Sequence, residues 1–293
     1  MELLVDLLRV RQWVKNFFII FPLIFSGHFN EFVPWLNCWT VLAGFCFISS
    51  GMYIVNDIID LNEDRMHPKK SQRPLAAAQI STPKATVIVG LVLVLGCSLC
   101  WLEGREVFIL ALSYVLLHVL YNLRTKHVVI LDILTVAFGF QIRIWAGSAA
   151  VHILPSLWLQ MCVFVLALFL GFTKRRYEMV ALKSDASSHR AVLSHYTSYL
   201  LDQIIIICST LSIVFYGLFT ISSEVVTRVG GYEMFYSTSF VIYGIFRYLY
   251  LLHVKKLGDD PSEALLSDAP MIINILLWMA FVMIVIRLSL LNA

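Results

Sequence analysis

Nine long apolar segments divide this chain of 293 residues, and they constrain its fold more than any other feature. A helix needs about 20 apolar residues to cross a bilayer. Backbone polar groups inside lipid must be satisfied within the segment, which favours helices. The segments run over residues 14–29, 32–56, 83–102, 106–122, 128–151, 155–173, 199–222, 236–254 and 271–291. We therefore predict an all-α integral membrane protein with about nine transmembrane helices in one domain, residues 1–293.

The composition excludes an ordinary soluble protein. The chain is 59% hydrophobic and 14% charged, whereas soluble domains are about 45–50% apolar and about 25% charged. All six cysteines lie inside apolar runs without a zinc-type pairing with histidine. We expect them to serve in packing, including Cys97 and Cys100, which form a C-x-x-C pattern. The expected surroundings are a lipid bilayer, with no nucleic-acid partner.

Basic loops alternate with loops that are poor in base. The basic set comprises the N-terminal residues Arg9, Arg11 and Lys15, the loops 57–82, 122–127 and 174–198, and Lys255-Lys256. Positively charged loops stay in the cytoplasm. We therefore predict a cytoplasmic N-terminus, a multi-pass location in the cell (inner) membrane, and an active site on the cytoplasmic face.

Three aspartates follow the second apolar segment, within the run Asn56-Asp57-Ile58-Ile59-Asp60-Leu61-Asn62-Glu63-Asp64. If the helix continues, Asp57, Asp60 and Asp64 share one face at positions i, i+3 and i+7. Carboxylates beside hydrocarbon are costly and usually have a function. Mg²⁺ takes oxygen ligands and commonly bridges carboxylates to a substrate phosphate. The pattern therefore indicates a membrane enzyme that handles a diphosphate through Mg²⁺.

Basic residues occur in two places near this acidic run. Arg65, Lys69, Lys70 and Arg73 follow it directly, and Lys174-Arg175-Arg176-Tyr177-Glu178 begins where the sixth apolar segment ends. Lysine and arginine neutralise phosphate oxygens that a metal leaves free. The alternatives are a solvated loop of local ion pairs for the first group and an anchor on anionic lipid for the second.

Ionisable residues also lie inside the apolar segments. Arg143 has Gln141 nearby, Asp132 precedes it by a few turns, and Arg247 lies in the eighth segment. Such groups normally face a bundle interior or a polar cavity. A structural Asp–Arg pair is the alternative. Tyr114, Tyr121 and Asn122 approach the same side of the membrane, although tyrosine there is often only an interfacial residue.

At these residues the chain resembles the UbiA superfamily of membrane prenyltransferases. Asn56, Asp57, Asp60 and Asp64 match the N-D-x-x-D-x-x-x-D signature of that superfamily, and Arg73-Pro74 matches the Arg-Pro that follows it. The resemblance implies a UbiA-like helical bundle. The chain departs from most members after the sixth helix, where a second acidic motif is usual and this chain has Lys174-Arg175-Arg176-Tyr177-Glu178.

That departure is similar to one branch, the polyprenyl-phosphate phosphoribosyltransferases. The branch also has an N-terminal R-P-x-Q-W-x-K-N motif, which this chain carries from Arg9 to Asn16 with Val10 in place of proline. Further branch-like features lie at Arg143 with Ala146-Gly147, Arg190 with Tyr196-Thr197, Arg247-Tyr248, and Pro261 with Glu263. The resemblance extends from Arg9 to about Asp268.

The resemblance implies transfer of 5-phosphoribose from phosphoribosyl diphosphate to a polyprenyl (decaprenyl-type) phosphate, with Mg²⁺ as cofactor and diphosphate as the second product. In that branch the product leads toward cell-surface glycans. We expect Asn56, Asp57 and Asp60 to act in catalysis, and Asp57, Asp60 and Asp64 to hold the metal. The residues expected to bind substrate are Lys15, Asn16, Arg73, Tyr121, Lys126, Arg143, Lys174, Arg175, Arg176, Tyr177, Glu178, Arg190 and Arg247.

Two other functions are compatible with parts of the sequence. A UbiA-type prenyltransferase that moves a prenyl group from a prenyl diphosphate to an aromatic acceptor would share the fold, metal and first motif, but it predicts carboxylates after the sixth helix. A transporter or lipid-binding protein without chemistry would more often show repeated halves and broken helices at the bilayer midplane. Here the polar residues concentrate at one membrane face, which favours an enzyme.

Overall fold

The regular structure of this protein, taken from a computed structural model, is helical. The structure describes residues 2–26, 31–66, 69–182, 193, 195–255 and 267–292, and these residues contain no β-strand. Arg190, Pro261 and Glu263, which the sequence analysis placed among the branch-like features, lie outside the described residues.

Twelve α-helices occur in the described part of the chain, and we number them in chain order. They are α1 (Glu2–Leu7), α2 (Phe21–Ser26), α3 (Phe32–Ile59), α4 (Leu61–Met66), α5 (Thr82–Leu102), α6 (Arg105–Leu123), α7 (Leu131–Ala150), α8 (Leu157–Leu182), α9 (Ser198–Thr220), α10 (Ser223–Val229), α11 (Thr238–His253) and α12 (Ala269–Asn292). The 3₁₀ segments are Val10–Ile20, Lys70–Gln72, Thr125–His127 and Glu233–Ser237.

Seven of the described helices are long and apolar enough to cross a membrane: α3, α5, α6, α7, α8, α9 and α12. The two other predicted segments each combine a shorter α-helix with a 3₁₀ segment. Val10–Ile20 leads directly into α2, and Glu233–Ser237 leads directly into α11. At about 2.0 Å per residue in a 3₁₀ helix and about 1.5 Å in an α-helix, each combination reaches roughly 30 Å. An all-α membrane bundle is thus confirmed, while the count of nine and the side of the N-terminus stay predictions.

Helices α3 and α7 lie at the centre of the bundle. In their apolar windows 67% and 72% of the residues are buried, against 17–44% in the other five spans. Helix α3 packs mainly on α5, and α7 packs on α6 and α8. The 3₁₀ segment Val10–Ile20 contacts both central helices. A helix surrounded by protein can carry polar residues that lipid would not tolerate, and these two helices contribute Asn56, Asp57, Asp132 and Arg143.

Gly147 allows the N-terminal 3₁₀ segment to approach α7. A Cβ atom at this position would lie 1.9 Å from the carbonyl oxygen of Ile19 and 3.1 Å from its Cα. These are backbone atoms, so no side-chain rotation relieves the clash. The small residue therefore sets the position of the segment that carries Asn16, and Asn16 contacts Arg143 on the same helix.

We expect Gly147→Ala to destabilise the folded protein by about 1–3 kcal/mol, the usual cost of overpacking a core. The measurement is thermal unfolding of the purified protein in detergent. Gly217→Ala on α9 is the matched control, because a Cβ there meets nothing within 4 Å. Equal unfolding temperatures for the two variants would contradict the role assigned to Gly147.

Candidate active site

A polar cavity of about 380 Å³ opens at one end of the bundle. It lies among the N-terminal segment, the end of α3, the loops after α4 and α6, and the facing sides of α6, α7 and α8. Its polar lining comprises Arg9, Lys15, Tyr53, Asn56, Asp60, Glu63, Lys70, Arg73, Tyr114, His118, Tyr121, Asn122, Lys126, His127, Arg143, Lys174, Arg175 and Glu178. Apolar residues of α7 and α8, among them Phe140 and Leu170, complete it. Residues of the predicted acidic site and of the predicted basic cluster therefore line the same cavity.

The shared face expected for the three aspartates depended on a helix that continues through the motif, and the structure interrupts that helix at one residue. Helix α3 ends at Ile59, Asp60 adopts φ −91° and ψ 15°, and α4 begins at Leu61. Asp60 lines the cavity, where it accepts hydrogen bonds from Lys126 Nζ and from Asn56 Nδ2. Asp60 therefore binds a different cation from Asp57 and Asp64, which contact Arg73.

Asp57 and Asp64 lie behind this lining and share one arginine, and Asp64 also pairs with Lys70 at 3.7 Å. Arg73 Nη1 donates to Asp57 Oδ1 at 3.0 Å and to Asp64 Oδ2 at 2.6 Å. The two carboxylates are buried, at 4% and 2% exposure. Arg9 also forms an ion pair with Asp57. Burial lowers the pKa of the Arg9 guanidinium from its ordinary value, and the Asp57 carboxylate opposes that shift.

These carboxylates have the donor chemistry for a hard divalent cation. One positively charged atom, Arg73 Nη1, already lies between Asp57 and Asp64. Mg²⁺ is usually held by one or two carboxylates together with substrate phosphates. No three His, Cys, Asp or Glu side chains of the described residues converge as metal ligands. These carboxylates therefore fit Mg²⁺ as residues that would hold it, provided that a substrate diphosphate supplies further oxygen ligands.

Arg143 projects from the middle of α7 at the deep wall of the cavity. Its Nε donates to Asn16 Oδ1 at 2.7 Å, its Nη1 to the Gly139 carbonyl at 2.9 Å, and its Nη2 to the Tyr114 hydroxyl at 2.7 Å. The side chain is 3% exposed. No described carboxylate forms a salt bridge with it, in contrast to Arg9, Arg73, Arg175 and Arg176. A buried cation without a counterion on the protein favours an anionic ligand.

The basic cluster of α8 divides between two environments. Lys174, Arg175 and Glu178 line the cavity. Arg175 Nε donates to Asp132 Oδ2 at 2.7 Å, so the structural pair that sequence analysis considered for Asp132 forms with Arg175. Arg176 instead forms an ion pair with Asp202 on α9.

Four predicted substrate-binding residues do not line the cavity. Tyr177 packs against an apolar cluster of α8, α9 and α11. Arg247 binds Asp268 through Nε and Nη2 at 3.0 and 2.8 Å. Arg176 faces α9, and Asn16 lies fully buried behind Arg143. The remaining predictions on described residues either line the cavity or, for Asp57 and Asp64, bind an arginine that does.

Sequence reasoning left out several residues that the structure brings to the cavity. It did not single out Tyr53, His118 or His127, and it noted Arg9, Glu63, Lys70, Tyr114 and Asn122 without assigning them to the site. A signal existed on α6, where Tyr114, His118 and Asn122 recur every four residues in an otherwise apolar helix. Residues at this spacing lie on one face.

A sequence model of the UbiA prenyltransferase family matches residues 17–276. The chain belongs to the UbiA prenyltransferase family. Among UbiA relatives, the decaprenyl-phosphate phosphoribosyltransferase of Mycolicibacterium smegmatis is 28% identical over 284 residues, which cover 94% of this chain and 89% of that protein. The protein of the same name from Corynebacterium glutamicum is 28% identical over 281 residues, covering 94% of this chain and 84% of that one.

A solved UbiA structure has the same fold. The UbiA homolog from Archaeoglobus fulgidus bound to GPP and Mg²⁺ superposes with a TM-score of 0.72, over 97% of this chain and 99% of that one, at 17% identity. A likeness at this identity concerns the fold alone. It confirms the UbiA-like bundle that the sequence motifs predicted.

Proposed function

We propose that this protein transfers 5-phosphoribose from phosphoribosyl diphosphate to a polyprenyl phosphate and releases diphosphate. The observation that carries the proposal is Arg143, a buried cation that lines the cavity without a carboxylate partner among the described residues. Lys15, Lys174 and Arg175 line the same cavity. Two phosphorylated substrates require several positively charged side chains in the cavity, because each phosphate brings negative charge into a confined space. The relatives named decaprenyl-phosphate phosphoribosyltransferase support the same activity.

The acidic side is proposed to bind the leaving group. Asp57, Asp60 and Asp64 would hold Mg²⁺, which when bound stabilises negative charge on the departing diphosphate. Asn56 keeps Asp60 in place through its side-chain amide. Arg73 and Lys126 contact these aspartates in the absence of substrate. Both line the cavity, so both can move their charge onto phosphate oxygens when substrate enters.

The chemical step needs no general base. An oxygen of the lipid phosphate attacks the anomeric carbon of the ribose while the bond from that carbon to the diphosphate breaks. The lipid phosphate is already an anion near neutral pH, so positioning contributes more than proton removal. The sugar becomes oxocarbenium-like during the transfer, and a single displacement inverts the anomeric carbon. Lys15, Lys174 and Arg175 would orient the lipid phosphate or the 5-phosphate of the donor.

The proposed location is the cytoplasmic face of the cell membrane. The cavity lies at the end of the bundle where the N-terminal Arg9 and Lys15 meet Lys126 and Lys174. Positive charge concentrates on the cytoplasmic side of membrane proteins. The polyprenyl chain of the acceptor would extend from this end between helices into the lipid.

Prenyl transfer to an aromatic acceptor is the second candidate. The family description favours it. At the end of α8, however, the cavity is lined by Lys174, Arg175 and a glutamate that Arg175 already binds. The described residues at the end of α8 therefore include no second acidic pair that is free to bind a diphosphate through a metal.

The two candidates are distinguished by a transfer assay. Purified protein in polyprenyl-phosphate micelles with Mg²⁺ receives phosphoribosyl diphosphate labelled in the ribose. Phosphoribosyl transfer predicts label in an acid-labile lipid product. A parallel reaction receives a labelled prenyl diphosphate and an aromatic acceptor. Transfer of label in this reaction alone would replace the proposal by the second candidate.

Lys174→Gln is expected to raise the KM for one phosphorylated substrate by about tenfold, since a charge-assisted hydrogen bond contributes about 1.5–3 kcal/mol. The measurement is initial rate against each substrate in turn. Arg176→Gln is the matched control, because Arg176 lies two positions along the same helix from Lys174 and binds Asp202 outside the cavity. Equal effects of the two changes would indicate that the cluster acts only as a membrane anchor.

A further inference from the structure

Unpaired polar atoms concentrate at the cavity. In the described part of the chain, four shielded side-chain atoms lack a hydrogen-bond partner, on His118, Asn122, Ser148 and Thr238. His118 and Asn122 line the cavity, and the other two do not. Buried polar groups nearly always have a partner, because leaving one unpaired costs free energy. The two unpaired atoms at the cavity therefore point to a ligand that supplies the missing partners.

Asn122 is the better defined of the two. It is 3% exposed, and the unpaired atom is its carbonyl oxygen Oδ1. His118 lies one turn earlier on α6, with its ring centroid 4.2 Å from that of Tyr114, the residue that binds Arg143. Lys126, which binds Asp60, follows Asn122 by four residues. Along the chain, Asn122 thus lies between Tyr114, which binds Arg143, and Lys126, which binds Asp60.

We propose that Asn122 Oδ1 accepts a hydrogen bond from a hydroxyl group of the donor's ribose, which makes Asn122 a specificity-determining residue. This inference rests on the proposed phosphoribosyl transfer. An amide oxygen only accepts, so the ligand must donate. Ionised phosphates have no hydrogen to donate, whereas the ribose of phosphoribosyl diphosphate carries two free hydroxyls, at carbons 2 and 3.

The same atom discriminates against a prenyl diphosphate. A prenyl chain has no hydrogen-bond donor, so its binding at this point would leave Oδ1 unpaired. A site built around a substrate hydroxyl rejects an analogue without it far more strongly than an apolar pocket distinguishes two hydrocarbons. Asn122 therefore helps this member of a prenyltransferase family to select a sugar donor.

The test compares phosphoribosyl diphosphate with its 2-deoxy and 3-deoxy analogues. The wild-type protein, purified in detergent, is assayed for transfer to polyprenyl phosphate with each donor. We expect kcat/KM to fall by about 10- to 100-fold when one of the two hydroxyls is removed, the range for a buried acceptor left unpaired. In Asn122→Leu, we expect kcat/KM for the natural donor to fall. The ratio of kcat/KM between the natural donor and the sensitive deoxy analogue should drop below about threefold. Asn122→Ala serves if the leucine variant does not fold.

Ser148→Ala is the matched control. Ser148 Oγ is equally shielded and unpaired but lies outside the cavity, so the variant should keep the wild-type ratio. Similar wild-type rates with all three donors would overturn the inference, as would a ratio that persists in both Asn122 variants. If wild-type protein transfers nothing from phosphoribosyl diphosphate, the proposed function itself fails, and this inference fails with it.

Discussion

Asp57→Asn is expected to reduce turnover by about 10²-fold or more, the loss that follows removal of one group that stabilises transition-state charge. Asp57 is a buried carboxylate that shares Arg73 with Asp64 and also binds Arg9. An amide has nearly the same shape but no negative charge, so it holds Mg²⁺ poorly. The measurement is kcat with saturating donor and acceptor over a Mg²⁺ titration.

The Asp57 prediction needs a control for charge and for folding. Asp202→Asn also removes a carboxylate from an arginine pair, with Arg176, but outside the cavity. We expect it to alter kcat by no more than about twofold, as partly exposed ion pairs contribute little. Thermal unfolding of both variants shows whether the bundle is intact. Wild-type kcat in a folded Asp57→Asn protein would exclude a metal-binding role for this residue.

Arg143→Met is expected to lower kcat/KM for the phosphorylated donor by about 30-fold or more. Removing one member of a buried charge pair costs about 2–5 kcal/mol, and each 1.4 kcal/mol corresponds to about tenfold. Methionine fills similar space without the charge. Arg143→Lys keeps the charge but cannot reproduce the fork that reaches Asn16, Gly139 and Tyr114 at once. We expect lysine to restore part of the loss.

Arg105→Met provides the comparison for Arg143. Arg105 is exposed and begins α6 at the end opposite Asn122, far along the helix from the cavity. Its replacement should leave kcat/KM within about twofold of wild type, as expected for a surface charge. If Arg143→Met and Arg105→Met behave alike in folded protein, Arg143 does not bind the substrate, and the observation that carries the proposed function loses its force.

Much of the fold was predictable from local sequence. Length and apolarity located every long helix in the described residues, because a bilayer demands about 20 apolar residues wherever the chain crosses it. The structure forms two segments partly with 3₁₀ turns, Val10–Ser26 and Glu233–His253. The sequence located both as apolar runs but did not predict the 3₁₀ turns. Apolar periodicity does not distinguish an α-helix that is continuous from one extended by a tighter turn.

The membership of the site was less predictable. Arg175 and Arg176 are neighbours in sequence, yet Arg175 lines the cavity and Arg176 binds Asp202, because successive helical residues point about 100° apart. The motif spacing placed three aspartates on one helix face, but the helix breaks at Asp60, which binds Lys126, whereas Asp57 and Asp64 share Arg73. Neither the orientation of α8 nor that break has a signal in the residue types alone.

The sequence by itself determined a helical membrane protein with acidic and basic groups gathered at one end, because hydropathy, charge and the UbiA motifs are all properties of short stretches. Only the tertiary structure decided which of those groups meet. The contacts Arg9–Asp57, Lys126–Asp60 and Arg143–Asn16 join residues 48, 66 and 127 positions apart. Such contacts depend on how central helices pack, and packing also leaves Asn122 Oδ1 without a protein partner among the described residues.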